Sequence, residues 1–190
     1  MPEEKEGLIF TSRDELVYKI IVIGDPAVGK TSLLDNFLGK QIKGEYIPTV
    51  GVNILKAKLN VVDEKGSDVN VFLMFWDIAG QPQFYMLHRP YFNGADGMIL
   101  VYDITRSSSF SNVNNWYNSA VRYGLSGIPR ILVGNKIDLK DERKIIHPMA
   151  DHLSEKLSAP FFETSALTGE GVKTIFQKIA DLTYQSKLAD

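Results

Sequence analysis

Residues Gly24-Asp25-Pro26-Ala27-Val28-Gly29-Lys30-Thr31 form a GxxxxGKT pattern set between an apolar run, Tyr18 to Ile23, and a stretch with helical character. Few folds place a glycine-rich turn between a buried strand and a helix, so this feature constrains the chain more than any other. Its physics is direct. The glycines let backbone N–H groups curl around phosphate oxygens at a helix N-terminus, whose partial positive charge suits anions. Lys30 is placed to neutralise terminal phosphates, and the Thr31 hydroxyl to sit on Mg²⁺.

The rest of the chain is consistent with one domain. It has 190 residues, 44% hydrophobic and 23% charged, enough for a single substantial core. A formal net charge of −2 with no dense Lys/Arg window argues against a nucleic-acid partner. Lys173, Lys178 and Lys187 read as the solvated face of a helix. With no cysteine, disulfides, Cys-based zinc sites, thiol catalysis and thioether or thioester lipid anchors are all excluded. The start, Met1-Pro2-Glu3-Glu4-Lys5-Glu6, is too acidic for a secretory signal and has proline where myristoylation needs glycine. No run approaches a membrane span. The expectation is a soluble, cytoplasmic, monomeric protein with an N-terminal extension over 1–16, a domain over 17–186 and a short tail over 187–190. The extension is either mobile or packed through Leu8-Ile9-Phe10.

Apolar β-branched runs alternate with helical periodicity along the whole length, which predicts βαβ units and a mostly parallel sheet. Strands are expected at Tyr18–Gly24, Val52–Val62, Val69–Asp77, Met98–Asp103, Arg130–Asn135 and Phe161–Thr164. The polar stretch Asp63 to Asp68 makes the second and third a hairpin, hence one antiparallel pairing. Helices follow the phosphate loop to about Leu38, carry the stripe Phe110, Val113, Trp116, Tyr117, Ala120 and Val121, start near Pro148 and stop near Ala159-Pro160, and close the chain with Val172, Ile175, Phe176, Ile179 and Leu182 on one face. Core packing accounts for these stripes.

Two further constellations fall at strand ends, where parallel α/β sheets collect ligands. Trp76-Asp77-Ile78-Ala79-Gly80-Gln81 ends one strand with an acid, a glycine and an amide. Asp77 is placed to orient water on Mg²⁺, the Gly80 N–H to reach a terminal phosphate, and Gln81 to position an attacking water. Alone, this motif is equally an ordinary strand-end turn; after a phosphate loop it carries weight. Asn135-Lys136-Ile137-Asp138 ends the fifth strand and Glu163-Thr164-Ser165-Ala166 the sixth. Alone, the first is as readily a polar loop. Together with the phosphate motifs they read as a base site: the Asp138 carboxylate accepts from guanine N1–H and N2–H₂, the Ala166 N–H donates to O6, Asn135 braces the loops, and the Lys136 stem covers the base.

With these motifs in order, the chain resembles the Ras superfamily of small GTPases over about Tyr18 to Leu182. The Rab branch is most similar, through Tyr91-Phe92-Asn93-Gly94-Ala95-Asp96-Gly97, Val101-Tyr102-Asp103-Ile104-Thr105 and the Ser109-Phe110 to Trp116 stretch. Tyr46-Ile47-Pro48-Thr49-Val50 and Ser165-Ala166-Leu167-Thr168 lean towards Rho proteins. The resemblance implies a three-layer P-loop NTPase G domain of α/β class, with a six-stranded, mostly parallel sheet and helices on both faces. It implies GTP hydrolysis to GDP and phosphate in a switch that serves membrane traffic or signalling, with Lys30 and Gln81 catalytic. Nucleotide contacts then fall to Asp25, Ala27, Val28, Gly29, Lys30, Thr31, Ser32, Tyr46, Thr49, Gly80, Asn135, Lys136, Asp138, Ser165, Ala166 and Leu167, and Mg²⁺ to Thr31, Thr49 and Asp77. Thr49, as the first-switch threonine, joins the metal and senses the γ-phosphate. Exchange factor, activating protein and effectors are expected at 41–54 and 79–92.

Four departures from relatives stand out. Pro26 replaces a small phosphate-loop residue, removes a donor and projects its ring towards the space of Gln81 or an arginine finger, so either activation is impaired or the variant is tolerated. Ile42 stands where a phenylalanine usually packs on guanine, so faster nucleotide release is expected. Leu167 replaces a lysine, and Ile54 replaces the aromatic that joins Trp76 and Tyr91 in the Rab effector triad. The hairpin is also long, its turn either a partner site or a solvated loop, and Lys187 to Asp190 offers no prenylatable cysteine, so no membrane anchor is encoded in these residues and membrane association requires a further tail or a partner. Two rivals remain: a phosphotransferase of the same loop class, and an interaction module that holds GTP permanently.

Overall fold

In the computed structural model, residues 15–39, 49–81 and 88–189 are described. The chain runs β1 (Leu16–Ile23), α1 (Lys30–Phe37), β2 (Val52–Val62), β3 (Asp68–Ile78), α2 (His88–Phe92), β4 (Gly97–Asp103), α3 (Ser107–Ser111), α4 (Val113–Arg122), β5 (Arg130–Asn135), a 3₁₀ turn at Lys140–Glu142, α5 (His147–Leu157), β6 (Phe161–Thr164) and α6 (Val172–Ala189). The strands form one sheet in the order β2-β3-β1-β4-β5-β6. Among the described residues only the β2–β3 pairing is antiparallel, in register from Val52↔Ile78 to Val62↔Asp68. Its turn closes because Asp63 Oδ1 accepts the N–H groups of Lys65 and Ser67, while Gly66 takes a left-handed φ of 80°.

Strands buried on both faces need helices on both, and side-chain parity divides the core accordingly. On one face Ile20, Val22, Ile99, Val101 and Val133 pack under α1 and α6, where Phe176 meets Phe37 (ring centroids 4.3 Å) and Phe75 (5.0 Å). On the other, Ile21, Ile23, Met98, Leu100, Tyr102 and Leu132 pack under α3, α4 and α5. Each such fully buried side chain contributes about 1.5–3 kcal/mol. The stripe expected as one helix from Phe110 to Val121 is divided at Asn112 into α3 and α4, with Val113, Trp116 and Ala120 buried. Pro148 sits in the first turn of α5, and Ser158, left-handed at φ 48°, ends it. The carboxyl ends of β1, β3, β4, β5 and β6 share one edge of the sheet, and Asp103, Asn135 and Thr164 are direct neighbours there.

Candidate nucleotide site

The phosphate loop leaves β1 and turns into α1 at Gly29, left-handed at φ 101°. A Cβ at Gly29 would meet Asn135 Nδ2 at 2.2 Å, so both backbone sign and space require glycine. Ala27 is also left-handed, at φ 62°, a conformation that costs a residue with a side chain about 1–2 kcal/mol. Lys30 Nζ reaches back over the loop and donates to the carbonyls of Gly24 (2.9 Å) and Asp25 (3.0 Å). Burial lowers its pKa to about 8 although the Asp77 and Asp25 charges oppose the shift, and the Arg106 charge adds to it. An ammonium so placed is set to receive an anion.

Beside it, Thr31 Oγ1 donates to Asp77 Oδ2 and lies 3.0 Å from Thr49 Oγ1. The three residues expected around Mg²⁺ therefore converge from α1, β3 and the segment before β2. Asp77 Oδ1 is buried without a hydrogen-bond partner. Burial raises the Asp77 pKa, against the hydrogen bond from Thr31 and the Lys30 charge. An orphaned carboxylate oxygen beside two hydroxyls fits a hard divalent cation that keeps waters and takes substrate phosphates. Among the described residues no group of three or more His, Cys, Asp or Glu could hold a metal without such help.

Gly80 packs against the loop so closely that a Cβ there would lie 2.5 Å from Pro26 N. Gln81 follows, its Oε1 also buried and unpartnered. Ser32 is half-buried in the first turn of α1. Tyr46 and Ile42 lie outside the described residues. Of the effector triad, Ile54 pairs opposite Trp76 and is exposed, Tyr91 lies 6.2 Å from the Trp76 ring, and the Lys19 ammonium stands 3.7 Å over that ring.

The base-side loops are knitted by Asn135. Its Nδ2 donates to Val28 O (2.9 Å), and its Oδ1 accepts from Thr164 Oγ1 (3.1 Å) and the Ala166 N–H (3.0 Å). The Ala166 amide, expected to face guanine O6, is thus already held by Asn135. Asp138 Oδ1 accepts from Ser165 Oγ, which in turn accepts the Thr168 N–H at 3.1 Å. Lys136 is left-handed at φ 74°, its Nζ 2.7 Å from Asp103 Oδ2. Burial alone would raise the Asp103 pKa, but hydrogen bonds from Lys136 and Thr105 outweigh it and leave it lowered. Leu167 stands exposed at the rim.

Sequence reasoning missed four residues here. Asp103 ends β4 and aims Lys136. Arg106 Nη2 donates to Pro26 O at 2.6 Å. Asp25, expected to contact nucleotide, spends its carboxylate on Asn112 and Trp116: Oδ1 accepts from Trp116 Nε1 (2.9 Å) and Oδ2 from Asn112 Nδ2 (3.0 Å). The polar run before α4 was the available signal, but Trp116 fits the core stripe equally well.

A glycine-lined phosphate loop, the cluster of Thr31, Thr49 and Asp77 beside it, and the loops after β5 and β6 lie on one edge of this sheet, the layout of a nucleoside-triphosphate-binding domain. The comparisons supply the family. The Ras family model matches residues 19–185, so the chain belongs to the Ras family. Ras-related protein Rab-13 of Mesocricetus auratus is 38% identical over 86% of this chain and 78% of its own length. Ras-related protein SEC4 of Candida albicans is 32% identical over 93% and 81%, and GTP-binding protein ypt1 of Schizosaccharomyces pombe 37% over 85% and 77%. The protein is a Rab-branch small GTPase that binds GTP and hydrolyses it to GDP and phosphate.

Proposed function

We propose that this GTPase works as a switch in membrane traffic, with Lys30 and Gln81 as its catalytic groups, Thr31, Thr49 and Asp77 as the Mg²⁺ site, and Asp138 as the selector of guanine. The convergence of Thr31, Thr49 and the orphaned Asp77 oxygen at the mouth of the phosphate loop carries the reading. Lys30 meets the terminal phosphates from the position it holds against Gly24 O and Asp25 O, and its charge grows more favourable as negative charge develops there. Gln81 turns its unpartnered Oε1 to the attacking water and orients it for in-line displacement. Mg²⁺, when bound, neutralises charge on the phosphate oxygens. Asp138, held by Ser165, accepts from the guanine edge, which adenine does not match. The Lys136 stem, pinned by Asp103, lies along the base.

Thr49 lies beside Thr31, and with the γ-phosphate-sensing role that the family resemblance implies, loss of that phosphate frees the segment it belongs to, which makes 41–54 with 79–92 the surface that exchange factors, activating proteins and effectors read. The protein acts from the cytoplasm and associates with membranes through partners. Single-turnover phosphate release tests the catalytic assignment: Gln81→Leu should bind GTP as the native protein does and slow release by about 10²-fold or more. Unchanged release removes Gln81 from the mechanism.

A further inference from the structure

The phosphate loop is gripped from two sides. In front, Lys30 holds the carbonyls of Gly24 and Asp25. Behind, one short segment, residues 106–116, supplies three donors to two successive loop residues. Arg106 donates to the Pro26 carbonyl, and Asn112 and Trp116 take one oxygen each of the Asp25 carboxylate. Asn112 is itself oriented, because its Oδ1 accepts from Asn115 Nδ2 at 3.0 Å. Asp25 is buried, so losing these donors would leave its carboxylate oxygens without partners.

The loop they hold is not one a free chain would choose. Pro26 restricts its own φ, and Ala27 directly after it is left-handed, so the N–H groups of Ala27, Val28 and Gly29 converge only while the backbone at 25 and 26 stays fixed. We propose that Asp25, with Trp116 and Asn112, is a positioning clamp that sets the lifetime of bound nucleotide. The clamp rests on the nucleotide-site reading above and adds to it that the residence time is governed by side chains that touch neither phosphate nor base. Charge-assisted hydrogen bonds to a buried carboxylate are among the stronger ones, which is why two of them suffice to hold a strained turn. Releasing them lets Ala27 relax and the amide cradle spread, while the base loops stay knitted through Asn135.

The test follows release of a fluorescent GDP analogue, chased with excess GDP in Mg²⁺, from the native chain, Trp116→Phe, Asp25→Ala and the double variant. Phenylalanine keeps a buried aromatic ring but removes the indole N–H together with part of the ring volume, so Asn112→Ala, which leaves the Trp116 packing intact, is measured beside it. Each single change should accelerate release roughly tenfold, with guanine-over-adenine preference retained, and the double variant should release no faster than the quicker single one, since all three break the same link. A spectroscopic readout separates positioning from plain stability. The chain has two tryptophans, so in a Trp76→Phe background the emission belongs to Trp116. It should shift when EDTA strips the nucleotide, and that shift should vanish with Asp25→Ala. If Trp116→Phe does not fold, Asn112→Ala takes its place with the same expectation. Release within twofold of native for both single variants, or accelerations that multiply in the double, overturns the clamp. A native chain that holds no GDP overturns the nucleotide-site reading itself, a separate outcome measured first.

Discussion

Replacing Lys30 by methionine should make the nucleotide-free protein more stable while destroying triphosphate binding. Burial lowers the Lys30 pKa from 10.5 to about 8. At ~1.36 kcal/mol per pH unit, holding this ammonium charged at neutral pH costs the folded state about 3 kcal/mol. Methionine removes that cost and also the two hydrogen bonds to Gly24 O and Asp25 O, each worth about 0.5–1.5 kcal/mol, for a net gain of roughly 1–2 kcal/mol at pH 7. The pH dependence carries the sign. The unfolded chain holds the Lys30 proton up to pH 10.5 and the folded chain only to about 8, so native stability rises with pH across that window. The advantage of Lys30→Met therefore shrinks above pH 8 and reverses at roughly pH 9. Urea unfolding of both EDTA-stripped proteins at pH 7 and pH 10 measures it. A methionine variant less stable at pH 7, or a difference that ignores pH, refutes the argument that burial without an anion is what strains Lys30.

Three further outcomes follow from the same geometry. Ala27→Gly relieves a left-handed alanine and should raise stability by about 1 kcal/mol in urea unfolding; a loss would mean that φ 62° is not strained. Asn135→Ala leaves Val28 O, Thr164 Oγ1 and the Ala166 N–H without their partner and should cost about 3 kcal/mol, with melting well below native; a change under about 1 kcal/mol contradicts its bracing role. Asp77 has a raised pKa without a cation, so its protonated form contributes stability that is full below the ordinary carboxylate range and lost as pH rises through the raised value. On the proposed assignment Mg²⁺ binding favours the ionised carboxylate: calorimetry in buffers of different ionisation heat should show proton release on Mg²⁺ binding as pH is lowered towards the raised value, absent in Asp77→Asn.

The strand pattern was legible because sheets covered on both faces leave apolar runs with little interruption, and all six expected strands occur within two residues of their predicted ends. The phosphate loop, Asp77 and Asn135 stood out because chemistry fixes their spacing. Thr49 was reached only through resemblance, since a lone threonine before a strand has no spacing signature. Trp116 was invisible as anything but core: it is buried on the apolar stripe as expected, and only three dimensions reveal that its indole N–H emerges against a carboxylate 91 residues away. Asp103 and Lys136 are likewise joined by neighbouring parallel strands, a contact that periodicity cannot announce. The division at Asn112 was missed because a helical stripe continues smoothly across it.

Equilibrium binding of GDP and ADP to native and Asp138→Asn protein, both stripped and re-supplied with Mg²⁺, tests most directly that these strand-end loops select guanine. The account predicts strong GDP preference in the native chain and loss of most of it in the variant, with phosphate-loop contacts intact. A variant that still prefers GDP as strongly as the native protein would contradict the assignment of the base site to Asp138.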